Sequence, residues 1–113
     1  NVTSTFAVVG GMRGGAYSAA KGGLTALTGH IACQYGAEGI RCNAVAPGVT
    51  LTPMVATRLE DERFRKINTE MTPHTRLGEP EDHAGVVAML LSDDGRWING
   101  AILDVNGGSL IRG

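Results

Sequence analysis

Residues 40–46, IRCNAVA, form a short and mostly apolar run that Pro47 and Gly48 bring to a close. A run of this kind lacks the polar alternation of a strand with one wet face, so it reads as a strand buried on both sides, as in parallel sheets. Its flanks agree. Upstream, Tyr17, Leu24, Leu27, Ile31 and Tyr35 recur at helical spacing and predict a helix over residues 16–35. Downstream come two more helical stretches and then AILDV, residues 101–105, as a last strand. The first five residues, NVTST, have the β-branched character of a strand end. The order strand end, helix, strand, helix, helix, strand predicts an α/β fold, in which parallel strands are joined by right-handed helical crossovers.

Local signals refine these elements. AVVGGMRGG, residues 7–15, reads as a glycine loop able to approach another backbone or a ligand. Gly22 and Gly23 each weaken the first helix by about 1 kcal/mol relative to alanine, which predicts a face pressed closely against something. Gly36 or Gly39 is available to end that helix. Residues 52–71 are expected to form one helix, with Thr52 as a possible N-cap, Pro53 in its first turn and a Glu62–Lys66 pair on its surface. The charge run RLEDERFRK within it reads as a solvated face. A further helix is expected to start near Pro80, where Glu81 and Asp82 suit the positive end of the dipole, and Asn106-Gly107-Gly108 reads as a turn.

A net charge of −1 over 113 residues leaves no electrostatic footprint for nucleic acid or an acidic membrane surface and favours small-molecule partners. No apolar run approaches the roughly 18–20 residues of a membrane span, and no charged-then-apolar leader opens the chain, so a cytoplasmic protein of one domain, or part of one, is expected. Cys33 and Cys42 are expected to be buried free thiols. His30, His74 and His83 lack ligand spacing, and no metal site is expected. The chain opens on Asn1 with a strand end, as though mid-fold.

Tyr17 and Lys21 are four positions apart. On a helix this puts a phenol and an ammonium on one face, which is either packing or chemistry. Their context narrows the choice. Asn1-Val2-Thr3-Ser4 at a strand end, a spacing of thirteen residues from Ser4 to Tyr17, Lys21, RCNAVAPGVTLTPM, RLGEPED and INGAILDVNGG occur in one order. That succession resembles the C-terminal half of the short-chain dehydrogenase/reductase family. It lies nearest to the branch of bacterial 3-oxoacyl-carrier-protein reductases.

The resemblance implies the second half of a Rossmann-like doubly wound parallel sheet, with the N-terminal nucleotide-binding half absent from this chain. It implies NAD(P)-dependent hydride transfer to or from a carbonyl or alcohol, with Tyr17 as general acid and base. A free phenol titrates near 10, and a neighbouring cation, here Lys21, favours the phenolate. The same lysine would bond the nicotinamide ribose, and Ser4 would donate to the substrate oxygen as charge develops there. Read without the family, Ser4 is a strand-end hydroxyl bonded to nearby backbone. PGVTLT matches the family segment that holds the nicotinamide carboxamide. Pro47 and Gly48 would turn the chain there, Val49 and Thr50 would orient the carboxamide through backbone groups, and the Thr52 hydroxyl would bond the carboxamide or pyrophosphate. Arg41 and Asn43 match structural positions, and Asn106 replaces the usual aspartate of the final turn. His74, where the family commonly has a small or apolar residue, reads as an exposed loop histidine.

Whether the cofactor is NAD or NADP depends on residues that would precede Asn1. The family usually assembles as dimers or tetramers through the helix carrying the tyrosine and through the last strand, so a homo-oligomer is expected. The alternative is a non-catalytic binding or assembly module that keeps the family packing. In either case the strand end at residues 1–5 would leave an open sheet edge, and the isolated chain is expected to self-associate.

Overall fold

A computed structural model describes residues 1–11 and 13–112 of the chain. Two strands, β1 (Ala44–Pro47) and β2 (Ile102–Val105), pair in parallel with Ala44 opposite Ile102 and Pro47 opposite Val105. Residues 1–3 add a third parallel segment on the other side of β1. Val2 bridges to Val45, Thr3 N donates to Val45 O at 2.8 Å, and Val45 N donates to Asn1 O at 3.0 Å. β1 is thus central, and Ala44, Val45 and Ala46 are buried as the uninterrupted apolar pattern predicts.

The strand is shorter than the apolar run. Residues 40–43 are held by side chains in place of a regular ladder: Asn43 Nδ2 donates to Ile98 O (2.8 Å), Asn43 Oδ1 accepts from Ala101 N (2.9 Å), and Asn99 Oδ1 accepts from Cys42 N (2.9 Å). Arg41 reaches Ile98 O at 3.2 Å and Leu90 O at 2.9 Å. An asparagine presents donor and acceptor together, so it can substitute for a neighbouring peptide where the strands diverge.

The helix α1 (Gly15–Tyr35) has nearly the predicted bounds. It passes into a 3₁₀ turn, Gly36–Glu38, and Gly39 takes the left-handed conformation at φ 79°. Ile40 N bonds to Tyr35 O and Gly39 N to Gly36 O, the paired bonds of a Schellman closure, which assigns the cap to Gly39 and not to Gly36. The close approach expected of Gly22 and Gly23 is made at neither, since the nearest contact is one that an alanine would also make. A Cβ at Gly22 would lie 3.5 Å from the Ala7 carbonyl oxygen, whereas one at Gly23 would meet open space. The glycine loop 7–15 contains Met12, which is outside the described residues.

One expected helix is two. After a turn at residues 52–55 come α2 (Ala56–Leu59) and α3 (Glu62–Glu70). Asp61 caps α3 by accepting from Arg63 N and Phe64 N, an interaction worth about 1 kcal/mol. Thr52 does not act as the N-cap, because the turn it opens, with Val55 N bonded to Thr52 O, puts the start of α2 at Ala56 behind Val55. Lys66 pairs forward with Glu70 at 3.9 Å and not back to Glu62. The charge run is solvent-facing apart from its half-buried Leu59 and Phe64. α4 (Pro80–Leu91) begins where expected, with Asp82 Oδ2 accepting from Glu79 N at 2.8 Å.

Cys33 is exposed and Cys42 half-buried, both as free thiols, so the expected burial is corrected. For Cys33 the reason is the exposure of α1, in which only Thr28 and Ala32 are buried. The radius of gyration, 15.0 Å, exceeds the about 13 Å typical of a compact chain of this length. No described helix is long and apolar enough to cross a membrane.

Candidate active site

The three extended segments run parallel, so the residues that follow them leave the sheet at one edge. Ser4 follows the first, Gly48 follows β1 and Asn106 follows β2. In open parallel sheets this carboxyl-terminal edge is where ligands bind.

Helix α1 brings its first turns to the same region. The helix packs on the 3₁₀ turn Thr5–Ala7, with Gly22 facing the Ala7 carbonyl. Tyr17 and Lys21 share a face, with Lys21 Nζ 5.7 Å from the centre of the Tyr17 ring. Lys21 Nζ also donates to Val2 O at 2.8 Å. That carbonyl lies on the side of the first segment turned away from β1, since Asn1 O and Thr3 N make the bonds to Val45. The ammonium thus satisfies a carbonyl at a sheet edge that no strand pairs among the described residues, and the bond fixes the lysine beside the strand that leads to Ser4. Tyr17 is 38% exposed.

Ser4 is buried and caps the Thr5–Ala7 turn, its Oγ accepting from Phe6 N at 3.1 Å. This is the local backbone bond expected of a strand-end serine in its purely structural reading. The bond occupies a lone pair and leaves the hydroxyl hydrogen free to donate.

The loop after β1 is held from several sides. Leu51 N donates to Gly78 O (2.8 Å) and Gly78 N to Val49 O (3.0 Å). Thr50 Oγ1 lies 3.1 Å from Gly48 O and 3.0 Å from His83 Nε2. A Cβ on Gly48 would come within 3.1 Å of Asn106 Cβ and Ser109 Oγ, so the loop presses against the turn after β2. In that turn Gly107 and Gly108 take φ of 63° and 86°, as the NGG pattern predicts. Thr52 is half-buried in the following turn, where its carbonyl accepts from Val55 N.

Gly48, Val49 and Thr50 line a cavity of about 190 Å³ together with His74, Arg76 and His83. Ser4, Tyr17 and Lys21 do not line it. The residues expected in one site therefore fall into two neighbouring groups on the same sheet edge: the Tyr17–Lys21 pair beside Val2, and the loop 48–52 backed by α4. Arg76 binds Asp82 through two bonds of 2.6 and 2.8 Å. Hydrogen bonding to Arg76, then to Glu79 N, holds the Asp82 carboxyl well below the usual carboxylate range, and the same bond raises Arg76. His74 is exposed, as expected. Among the described residues no cluster of His, Cys, Asp and Glu could hold a metal ion.

Val2, Gly78 and His83 were given no role of their own, although Val2 and Gly78 lie within the quoted motifs. The carbonyl of Val2 carries no sequence signal, and the contact between Thr50 and His83 spans 33 positions.

The family model described as "Enoyl-(Acyl carrier protein) reductase" matches residues 1–109. The chain is 43% identical to the 7alpha-hydroxysteroid dehydrogenase of Bacteroides fragilis, over 98% of its own length and 42% of that protein's. It superposes with a TM-score of 0.95 and 38% identity on a putative 2-deoxy-d-gluconate 3-dehydrogenase from Agrobacterium tumefaciens with bound NADP, covering 99% of this chain and 46% of that one. It also superposes on 4-hydroxyisoleucine dehydrogenase complexed with NADH, with a TM-score of 0.92 and 27% identity, covering 96% and 45%. The chain spans less than half the length of these relatives, over a sheet edge of the Rossmann-fold kind. With a family match across nearly its whole length, it belongs to the short-chain dehydrogenase/reductase family.

Proposed function

We propose that residues 1–113 are a partial domain, the proton-transfer half of a NAD- or NADP-dependent oxidoreductase acting on a small carbonyl or alcohol. In the complete protein the pyrophosphate and adenosine would be held by a further nucleotide-binding half. The observation that carries this reading is the placement of Lys21. Its ammonium lies on the same helix face as the Tyr17 ring and is anchored to Val2 O, in the strand that leads to Ser4.

The donors fit the nicotinamide end of such a cofactor. Lys21 uses one N–H on Val2 O and keeps two for a pair of neighbouring ribose hydroxyls. Backbone groups of Val49 and Thr50, behind the turn at Pro47 and Gly48, would orient the carboxamide, with the Thr52 hydroxyl beside them. When bound, the nicotinamide supplies or accepts the hydride. Tyr17 gives its phenolic proton to the carbonyl oxygen in reduction and takes a proton from the alcohol in oxidation. The positive charge of Lys21 stabilises the phenolate that the first of these transfers leaves. Ser4, its lone pair engaged by Phe6 N, donates its hydroxyl hydrogen to the same substrate oxygen.

The test is turnover with NADH and NADPH by a protein carrying this chain behind a full nucleotide-binding half. Tyr17→Phe should lower kcat by about 10²- to 10⁴-fold while stability changes by less than about 0.5 kcal/mol, since the side chain is partly exposed. Unchanged turnover would remove Tyr17 from the mechanism. An inactive extended protein with Ser4, Tyr17 and Lys21 intact would count against the enzymatic reading. The 113-residue chain alone should show no tight nucleotide binding.

A second reading, a non-catalytic assembly module, draws on exposed apolar surface: Val2 is 55% exposed at the sheet edge, Leu91 80% and Trp97 96%. Such surface favours association of the isolated chain. We read the complete protein as a cytoplasmic homo-oligomer, which sedimentation of the extended form would check.

A further inference from the structure

His83 Nδ1 is buried and has no hydrogen-bond partner among the described residues, although Nε2 lies 3.0 Å from Thr50 Oγ1. The arrangement favours one tautomer. The Thr50 hydroxyl has a single hydrogen, and Gly48 O lies 3.1 Å from its oxygen. If Nε2 carries the ring proton, it donates to Thr50 Oγ1, Thr50 donates to Gly48 O, and both short contacts are hydrogen bonds. If Nδ1 carries it, Thr50 must turn its hydrogen to Nε2, Gly48 O loses its donor, and a buried N–H is left without an acceptor. Orphaned buried N–H groups are the rarer and costlier defect. A proton on Nε2 therefore fits both contacts, and would give a directed chain from the α4 ring through the Thr50 hydroxyl to the Gly48 carbonyl.

That chain closes a clamp which the backbone has already begun. Gly78 exchanges two backbone bonds with the loop, at Val49 O and Leu51 N. A Cβ on Gly78 would stand 3.2 Å from Thr50 Oγ1, tighter than an ordinary contact, so the glycine leaves the hydroxyl its place beside the ring. We propose that His83 is a positioning residue. Through Thr50 it fixes the backbone of residues 48–51, and with it the groups that would meet the nicotinamide carboxamide. The last clause rests on the oxidoreductase reading, whereas the clamp does not.

The clamp is tested on the 113-residue chain. Nitrogen-15 spectra of the neutral ring should show a protonated Nε2 and a bare Nδ1 at His83. His83→Leu and Thr50→Val should each speed amide exchange at Leu51 and Gly78 roughly fivefold to tenfold, the scale of one lost hydrogen bond, with Ala44 and Val45 unchanged. Thr50→Ser, which keeps the hydroxyl, should restore slow exchange. A predominantly Nδ1-protonated ring would overturn the proposal, as would unaltered exchange in Thr50→Val. In the extended protein, His83→Leu should raise KM for the nicotinamide cofactor severalfold with kcat nearly kept. An unchanged KM beside accelerated exchange would refute the positioning role. Failure of the unsubstituted extended protein to bind nicotinamide would refute the oxidoreductase reading and leave the exchange results to judge the clamp.

Discussion

Asn43→Ala should destabilise the chain more than any other single loss of a polar side chain in the sheet. The side chain makes two bonds across to the strand that leads into β2, to Ile98 O at 2.8 Å and from Ala101 N at 2.9 Å. Both are partly buried. At about 1 kcal/mol each, reduced by partial access of water and increased by stranding a backbone N–H, the expected loss is about 2 kcal/mol. Such a change is large beside a typical total stability of about 5–15 kcal/mol. Urea unfolding followed by circular dichroism, with the midpoint converted at a common slope, measures it. Asn43→Asp separates the two bonds: the acceptor for Ala101 N remains, while the donor to Ile98 O becomes a carboxylate facing a carbonyl. It should therefore be at least as harmful as alanine above pH 5 and less harmful once protonated. If Asn43→Ala changed stability by under about 0.5 kcal/mol, water would be replacing both bonds and the stitch at residues 40–43 would not hold β1 in register.

Gly95→Ala should cost about 1–3 kcal/mol by overpacking, because the added Cβ would stand 2.6 Å from Met89 O and 2.9 Å from Leu90 Cα, which are backbone atoms that cannot swing aside; thermal melting checks it, and an unchanged midpoint would contradict the close contact. Asp82 is held below its ordinary value of 3.8 by Arg76 and Glu79 N, so its contribution is present above about pH 4 and is lost as pH falls through the lowered value. Asp82→Asn should therefore flatten the acid limb of stability against pH, and an unaltered limb would refute the linkage. Arg76, raised by the same carboxylate, stays charged throughout and adds no slope over this range. Lys21→Met removes the donor from Val2 O at the open edge, so sedimentation should show more self-association than the parent chain, and identical profiles would refute a guarding role for this lysine.

Much of the architecture was legible along the chain because it rests on local periodicity. The unbroken apolar pattern of residues 44–46 marks a strand buried on both faces, the spacing from Tyr17 to Tyr35 marks α1, and Pro80 with Asp82 marks the start of α4. The pairing of Tyr17 with Lys21 is equally local, since one helical turn is enough to bring them together. The misreadings arose where local signals competed or where burial depended on neighbours. Thr52-Pro53 and Asp61 both look like helix starts, and only the folded turn at 52–55 shows that Asp61 caps the longer helix. Cys33 has the sequence surroundings of a buried residue, but its face of α1 is left uncovered.

What amino-acid order alone determined, then, is the alternation of strands and helices and the placement of a phenol and an ammonium on one helical face, because both follow from backbone repeat. Only the tertiary structure decided that Lys21 is tied to Val2 O, that Asn1 Nδ2 reaches the buried Thr28 hydroxyl at 2.9 Å, and that His83 meets Thr50 behind the loop at Gly48. These contacts join groups 19, 27 and 33 positions apart. No repeat encodes such distances. They exist because three parallel segments end at one edge and the helices between them fold back onto it.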